Sequence, residues 1–236
     1  MTEAVSAFET DPHPRDLLRS DDKRHYQRIF ETQAARSYLY LSLGIGLIAV
    51  LLPVLLVIFG GYRAHDSISS FYHDTVGPTR DIMVGSLCAV GVFLFLFHGL
   101  SRLENWLLNI AGIAIIAVAL IPSPGNTNYG STLLHRGFAI LFFLLIGIVA
   151  IFLSKGRIKD IVSERKKHWF AGAYNVVGIV MIVMPLVAAF VPSGHSVLLA
   201  EWAGIWSFSA YWFLKTAEYR LLLRIRWTQR HPFTRT

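Results

Sequence analysis

The chain has 236 residues, 54% of them hydrophobic and 16% charged, with a mean hydropathy of +0.49, a composition that excludes an ordinary soluble globular enzyme. Its single cysteine, Cys88, lies inside an apolar run, which excludes an internal disulfide and a cysteine-based zinc site. The formal net charge of +7 takes its meaning from placement, because the basic residues flank the hydrophobic runs.

The first 36 residues are polar. Within them Asp11-Pro-His-Pro-Arg-Asp16 predicts an extended lead with a helix cap at Asp16, followed by a mixed-charge amphipathic helix carrying Leu18, Tyr26, Ile29 and Phe30. Six apolar stretches follow, at 37–60, 81–100, 103–121, 134–154, 169–191 and 197–216. Each approaches the roughly 20 helical residues that a bilayer core requires. A cleavable signal peptide is not expected, since the first apolar run begins only near Tyr38, after six Lys or Arg residues. Beyond the last stretch, Glu218 to Arg230 continues the sixth helix with alternating Leu and Arg, a basic face suited to inner-leaflet headgroups. The expected organisation is an all-α polytopic membrane protein: a cytoplasmic segment at 1–36, a six-helix transmembrane domain at 37–216 and a basic cytoplasmic tail at 217–236.

The basic residues test this topology independently, because short cytoplasmic loops hold an excess of Lys and Arg. With the N-terminus inside, only Arg63, Arg80 and Arg136 of the 22 basic residues fall on the outer side. Both termini are therefore expected in the cytoplasm, and a bacterial inner membrane is the expected location. Membrane lipids are the natural partner of the basic segments, and nucleic acid is not expected. Any larger assembly, a homo-oligomer included, would use the helices, the 155–168 loop or the tails.

Ionisable residues in or beside the spans are the informative ones, because a charge at membrane depth is unfavourable unless paired, hydrated or functional. They gather on the outer side: Asp81 opens the second span, His135 and Arg136 the fourth, and Glu201 lies about 6 to 8 Å below the outer end of the sixth. The outer loop His65-Asp-Ser-Ile-Ser-Ser-Phe-Tyr-His-Asp74 and the loop Pro192-Ser-Gly-His195-Ser join them. Three imidazoles from separate segments, His73, His135 and His195, are the donor type that holds zinc with an open water position. In that scheme Ser69, Asp81, His135 and Glu201 are the catalytic candidates, and Tyr72, Arg136, Trp202 and Trp206 would contact the ligand. A lock of three helices through Asp81, Arg136, His135 and Glu201 accounts for the same residues without catalysis. Asn109 and Asn175 are expected to bond between helices. Tyr174, Tyr211, Trp212 and Tyr219 are expected, with Tyr38, Tyr40, Tyr62, Trp106 and Trp169, in the aromatic belts at the membrane surfaces.

Ser67-Ile-Ser-Ser-Phe-Tyr-His-Asp with Arg80-Asp-Ile-Met-Val-Gly85, Leu134-His-Arg-Gly-Phe138, and Glu201-Trp-Ala-Gly-Ile-Trp-Ser-Phe-Ser-Ala-Tyr-Trp-Phe-Leu-Lys215 together resemble a family of small bacterial polytopic membrane proteins of unknown function. The resemblance covers about 38 to 218, and it points to the Ser-x-Ser-x-x-Tyr loop, Asp81, His135, Glu201, Trp212 and Lys215. A looser resemblance is to the membrane hydrolases that include alkaline ceramidases and adiponectin receptors. There a serine, a nearby histidine and an aspartate accompany a zinc-bound histidine set, and Ser69-x-x-x-His73 followed by Asp81 is similar to its first half. Those proteins have a seventh span with a His-x-x-x-His pair, where this last span offers Glu201.

The expected function is binding, with hydrolysis as a further step, of a lipid-like or amphiphilic small molecule in an outward-facing polar cavity. The alternatives are a transporter or channel, and a noncatalytic scaffold or sensor.

Overall fold

The computed structural model describes residues 14–62, 65–74, 77–99, 101–121, 129–160, 163–190 and 195–230. It divides after Tyr38 into two compact units. Every regular element among the described residues is helical, and six of the helices are long and apolar enough to cross a membrane. The chain is a polytopic α-helical membrane protein.

The helices are α1 (Pro14–Gly60), α2 (Thr79–Leu96), α3 (Arg102–Leu120), α4 (Tyr129–Ile148), α5 (Glu164–Phe190) and α6 (His195–Arg230). Asp16 lies within α1 rather than capping it, because the helix already starts at Pro14, where a missing amide proton leaves no bond unmade. The Pro192 loop is shorter than foreseen on its C-terminal side, since His195 and Ser196 are the first residues of α6; its residues 192–194 lie outside the described ones. α2 stops at Leu96, four residues before the apolar run ends: Phe97 turns extended, and its ring packs edge-on to Trp212 at 4.8 Å.

Small residues set the helix spacing. A methyl group on Gly91 of α2 would come 2.7 Å from the Gly112 carbonyl of α3, and one on Gly178 of α5 would come 3.1 Å from the Gly147 carbonyl of α4. Backbones approach this closely only where neither partner carries a side chain. α6 is tied to α1 through hydroxyls: Ser209 Oγ donates to the Gly46 carbonyl at 2.7 Å, and Ser42 Oγ and Thr216 Oγ1 share a bond of 2.9 Å. The outward faces carry exposed Leu51, Ile58, Phe95, Ile113, Phe152 and Val176, the pattern of a bundle whose surroundings are hydrocarbon rather than water. Helix α4 continues through a π turn at Val149–Leu153, and the Ser154 hydroxyl donates to the Val149 carbonyl at 3.0 Å.

The outer connection between α1 and α2 is folded. Gly61, with φ of 83°, ends α1 in the left-handed conformation while its amide bonds the Val57 carbonyl at 2.9 Å. A 3₁₀ turn at Ile68–His73 follows, capped by the Ser67 hydroxyl accepting from the Ser70 amide at 3.1 Å. Ile68 and Phe71 point inward and pack with Leu52, Leu56, Met83 and Leu198. The outer loop is thereby a plug anchored by two apolar side chains.

Candidate functional site

Beneath this plug lies a cavity of about 190 Å³, lined by residues of all six helices and of the outer loop. Its polar wall is Ser67, Ser69, His135, Arg136 and Glu201, and the remaining wall is apolar, including Leu52, Met83, Val90, Phe142, Phe143 and Phe208. From His135 to Phe142 on α4, and from Glu201 to Phe208 on α6, is about 10 Å of helix rise. The polar residues sit toward the outer end on both helices, and the phenylalanines sit deeper.

Each polar group is held by a traceable bond. Glu201 Oε2 accepts the Ile68 amide at 2.5 Å, so the carboxylate that lines the cavity also fastens the plug. His135 is 5% exposed, and its Nδ1 contacts the Ile121 carbonyl at 2.7 Å as the donor, because a carbonyl oxygen can only accept. That bond ties the beginning of α4 to the end of α3. Ser67 Oγ and Ser69 Oγ lie 3.1 Å apart. Ser70 directs its hydroxyl proton to the Ser67 carbonyl at 2.6 Å. His65 links the loop's two ends, with Nδ1 3.0 Å from Ser70 Oγ and Nε2 3.2 Å from Asp74 Oδ1, and its ring stacks on Phe71 at 3.9 Å. This serine, histidine and aspartate chain lies outside the cavity lining, and its serine proton is already engaged, so it serves to close the loop on itself.

Four of the residues expected at the site therefore meet in one cavity: Ser69, His135, Arg136 and Glu201. The others lie elsewhere. Asp81 is exposed on the first turn of α2. Tyr72 accepts from Arg80 at 3.1 Å and receives its guanidinium over the ring, while His73 is exposed beside it. His195 faces Asp66 at 4.0 Å and the Tyr62 ring at 4.8 Å. Trp202 and Trp206 pack on each other at 5.5 Å, and Trp206 Nε1 donates to the Val50 carbonyl at 3.3 Å. The three histidines considered for zinc do not converge, and among the described residues no group of three His, Cys, Asp or Glu side chains is placed to hold a metal ion.

A second polar centre lies at the inner end, around Lys215, a position the resemblance singled out without its partners. Lys215 on α6, 2% exposed, sits 4.0 Å from Glu104 of α3 and 3.9 Å from Glu218 one turn along α6; both carboxylates are 1% exposed. Tyr174 of α5 donates to Glu218 Oε2 at 2.5 Å, and the ammonium lies 5.4 Å from the Tyr174 ring centre. Tyr211 shares a 3.0 Å bond with Ser154, which follows the π turn of α4. Gly99 leaves room for this arrangement, since a methyl group there would fall 2.4 Å from Glu104 Cγ. Tyr174 and Tyr211 are thus buried beside Lys215, and Trp212 and Tyr219 are buried against Phe97, where the aromatic-belt reading expected all four at the membrane surface. The local sequence holds little signal for this: a glutamate in the first turn of a helix and a lysine near the inner end of a span each have ordinary explanations in the helix dipole and the charge bias.

Protein-family models, curated proteins and solved structures were all compared with the chain, and none matches it.

Proposed function

We propose that this protein binds a lipid-like or amphiphilic small molecule in the outer half of its membrane bundle, with the polar head beside Ser67, Ser69, His135, Arg136 and Glu201 and the apolar part between α4 and α6. The carrying observation is the cavity's division into a polar outer wall and an apolar deeper wall, the arrangement that small-molecule sites use to fix orientation with few polar groups. Binding is better supported than hydrolysis. Carbonyl attack needs a serine within reach of a base, or a metal-activated water, and the bond found at Ser69 goes to Ser67 rather than to a histidine. The test is native mass spectrometry of the protein released from its membrane in mild detergent, beside Ala139→Phe, which fills the cavity. The reading expects a co-purifying amphiphile in the wild type and its loss from the folded variant. A wild type without adducts, or an adduct retained in Ala139→Phe, counts against it.

The inner centre supports one second reading, a transporter. Glu201 and Lys215 lie on the same helix, about 21 Å apart along its axis, so a displacement of α6 moves both polar centres. Uptake of a labelled amphiphile into proteoliposomes distinguishes transport from static binding.

A further inference from the structure

Resting on the amphiphile-binding function above, we infer that the ligand is a single-chain amphiphile whose head group is an anion, and that Arg136 is the residue that selects it.

The argument starts from which polar groups of the cavity still have bonding capacity. The Ile68 amide occupies one oxygen of Glu201, and the Ile121 carbonyl occupies Nδ1 of His135. The Ser67 hydroxyl takes the Ser70 amide and shares a bond with Ser69. These groups are largely spent on holding the plug and the ends of α3 and α4 in place. Arg136 differs. It lines the cavity and is exposed, and among the described residues it makes no hydrogen bond and no ion pair, although Glu201, beyond ion-pair distance, still feels its charge. A guanidinium presents five N–H donors and no acceptor, and it matches the paired oxygens of a carboxylate or phosphate.

Depth reinforces this. α4 begins at Tyr129, which places Arg136 about 10 Å along the helix from its first residue. A charge at that level is stabilised by a counter-ion or by water. Directly below are Ala139, Ile140 and Phe143 of α4 facing Ile205 and Phe208 of α6, a wall that takes hydrocarbon. Size then limits the chain count. The cavity, at about 190 Å³, is little larger than the roughly 150 Å³ apolar cavity that holds one benzene, and it falls below the roughly 300 Å³ at which drug-sized pockets begin. One chain fills that volume.

The experiment uses the full-length protein in a nonionic detergent, with labelled decanoate as probe and decanol as its uncharged counterpart. Decanoate is expected to bind saturably and at least about tenfold more tightly than decanol, the effect of one charge-assisted paired bond. Arg136→Gln is expected to remove that advantage, so that decanoate binds no more tightly than decanol. Arg136→Lys, which keeps the charge without the forked geometry, is expected to fall between, and it serves if the glutamine variant does not fold. If decanoate and decanol bind equally and Arg136→Gln alters neither, the anionic head is wrong while the amphiphile cavity stands. If neither binds, the amphiphile reading fails with it. If phosphatidylglycerol in nanodiscs displaces decanoate from the wild type but decanoate does not displace phosphatidylglycerol, the anion belongs to a two-chain lipid and the single-chain assignment is overturned.

Discussion

Replacing Lys215 by methionine removes a positive charge from between two carboxylates while keeping a side chain of similar length. At separations of 4.0 and 3.9 Å, each attraction amounts to about 4 kcal/mol at an effective dielectric constant of about 20. Desolvation of the ammonium offsets much of the total, so the expected net loss is the roughly 3–5 kcal/mol found when one member of a buried ion pair is deleted. The same reasoning expects most of that loss to return in the triple variant Glu104→Gln, Lys215→Met, Glu218→Gln, because a neutral, well-packed replacement leaves no uncompensated charge. Thermal and denaturant unfolding in one detergent would measure both, with fluorescence of the six tryptophans as signal. A loss below about 1 kcal/mol for Lys215→Met, the range of an exposed ion pair, would refute the reasoning. So would a triple variant no more stable than the single one.

Glu201→Ala is expected to speed hydrogen exchange of the amides around Ile68, because it removes the acceptor that fastens the plug; Glu201→Gln, which keeps an oxygen there, should lie closer to wild type. Gly112→Leu should destabilise the bundle by at least about 1–3 kcal/mol, since even its first carbon would fall 2.7 Å from the Gly91 carbonyl; unchanged thermal unfolding would contradict the close α2 and α3 contact. Tyr174→Phe, which deletes the donor to Glu218, should lose about 1.5–3 kcal/mol by the same unfolding assay, and little of this should remain when Glu218→Gln is already present.

The spans were legible because backbone in hydrocarbon must be helical, so length and apolarity alone locate them. At the outer site, a charged or polar residue on an otherwise apolar helix stands out, and His135, Arg136 and Glu201 do occupy one cavity with Ser69. Asp81 stood out equally, yet it is turned outward on α2, two residues and about 200° of helical rotation from Met83, which lines the cavity. The partners of Lys215 stayed hidden because they are explained one at a time: Glu104 and Lys215 are 111 positions apart in sequence, and only the fold brings them within 4.0 Å of each other. The aromatics around Lys215 were misplaced for a related reason, since a tyrosine near a span end suits a membrane surface or a buried polar group equally well.

The π turn in α4 makes this helix unusually intolerant of a change in length. Residues upstream of Val149, including His135 and Arg136, face the cavity, whereas Ser154 just beyond the turn meets Tyr211. Each helical residue advances the face by about 100°, and the extra residue of a π turn lets the two halves of α4 hold these directions independently. Deleting one residue between 149 and 153 would leave the hydrophobicity of the span almost untouched. It would remove the π turn, and the segments before and after it could no longer both keep their partners.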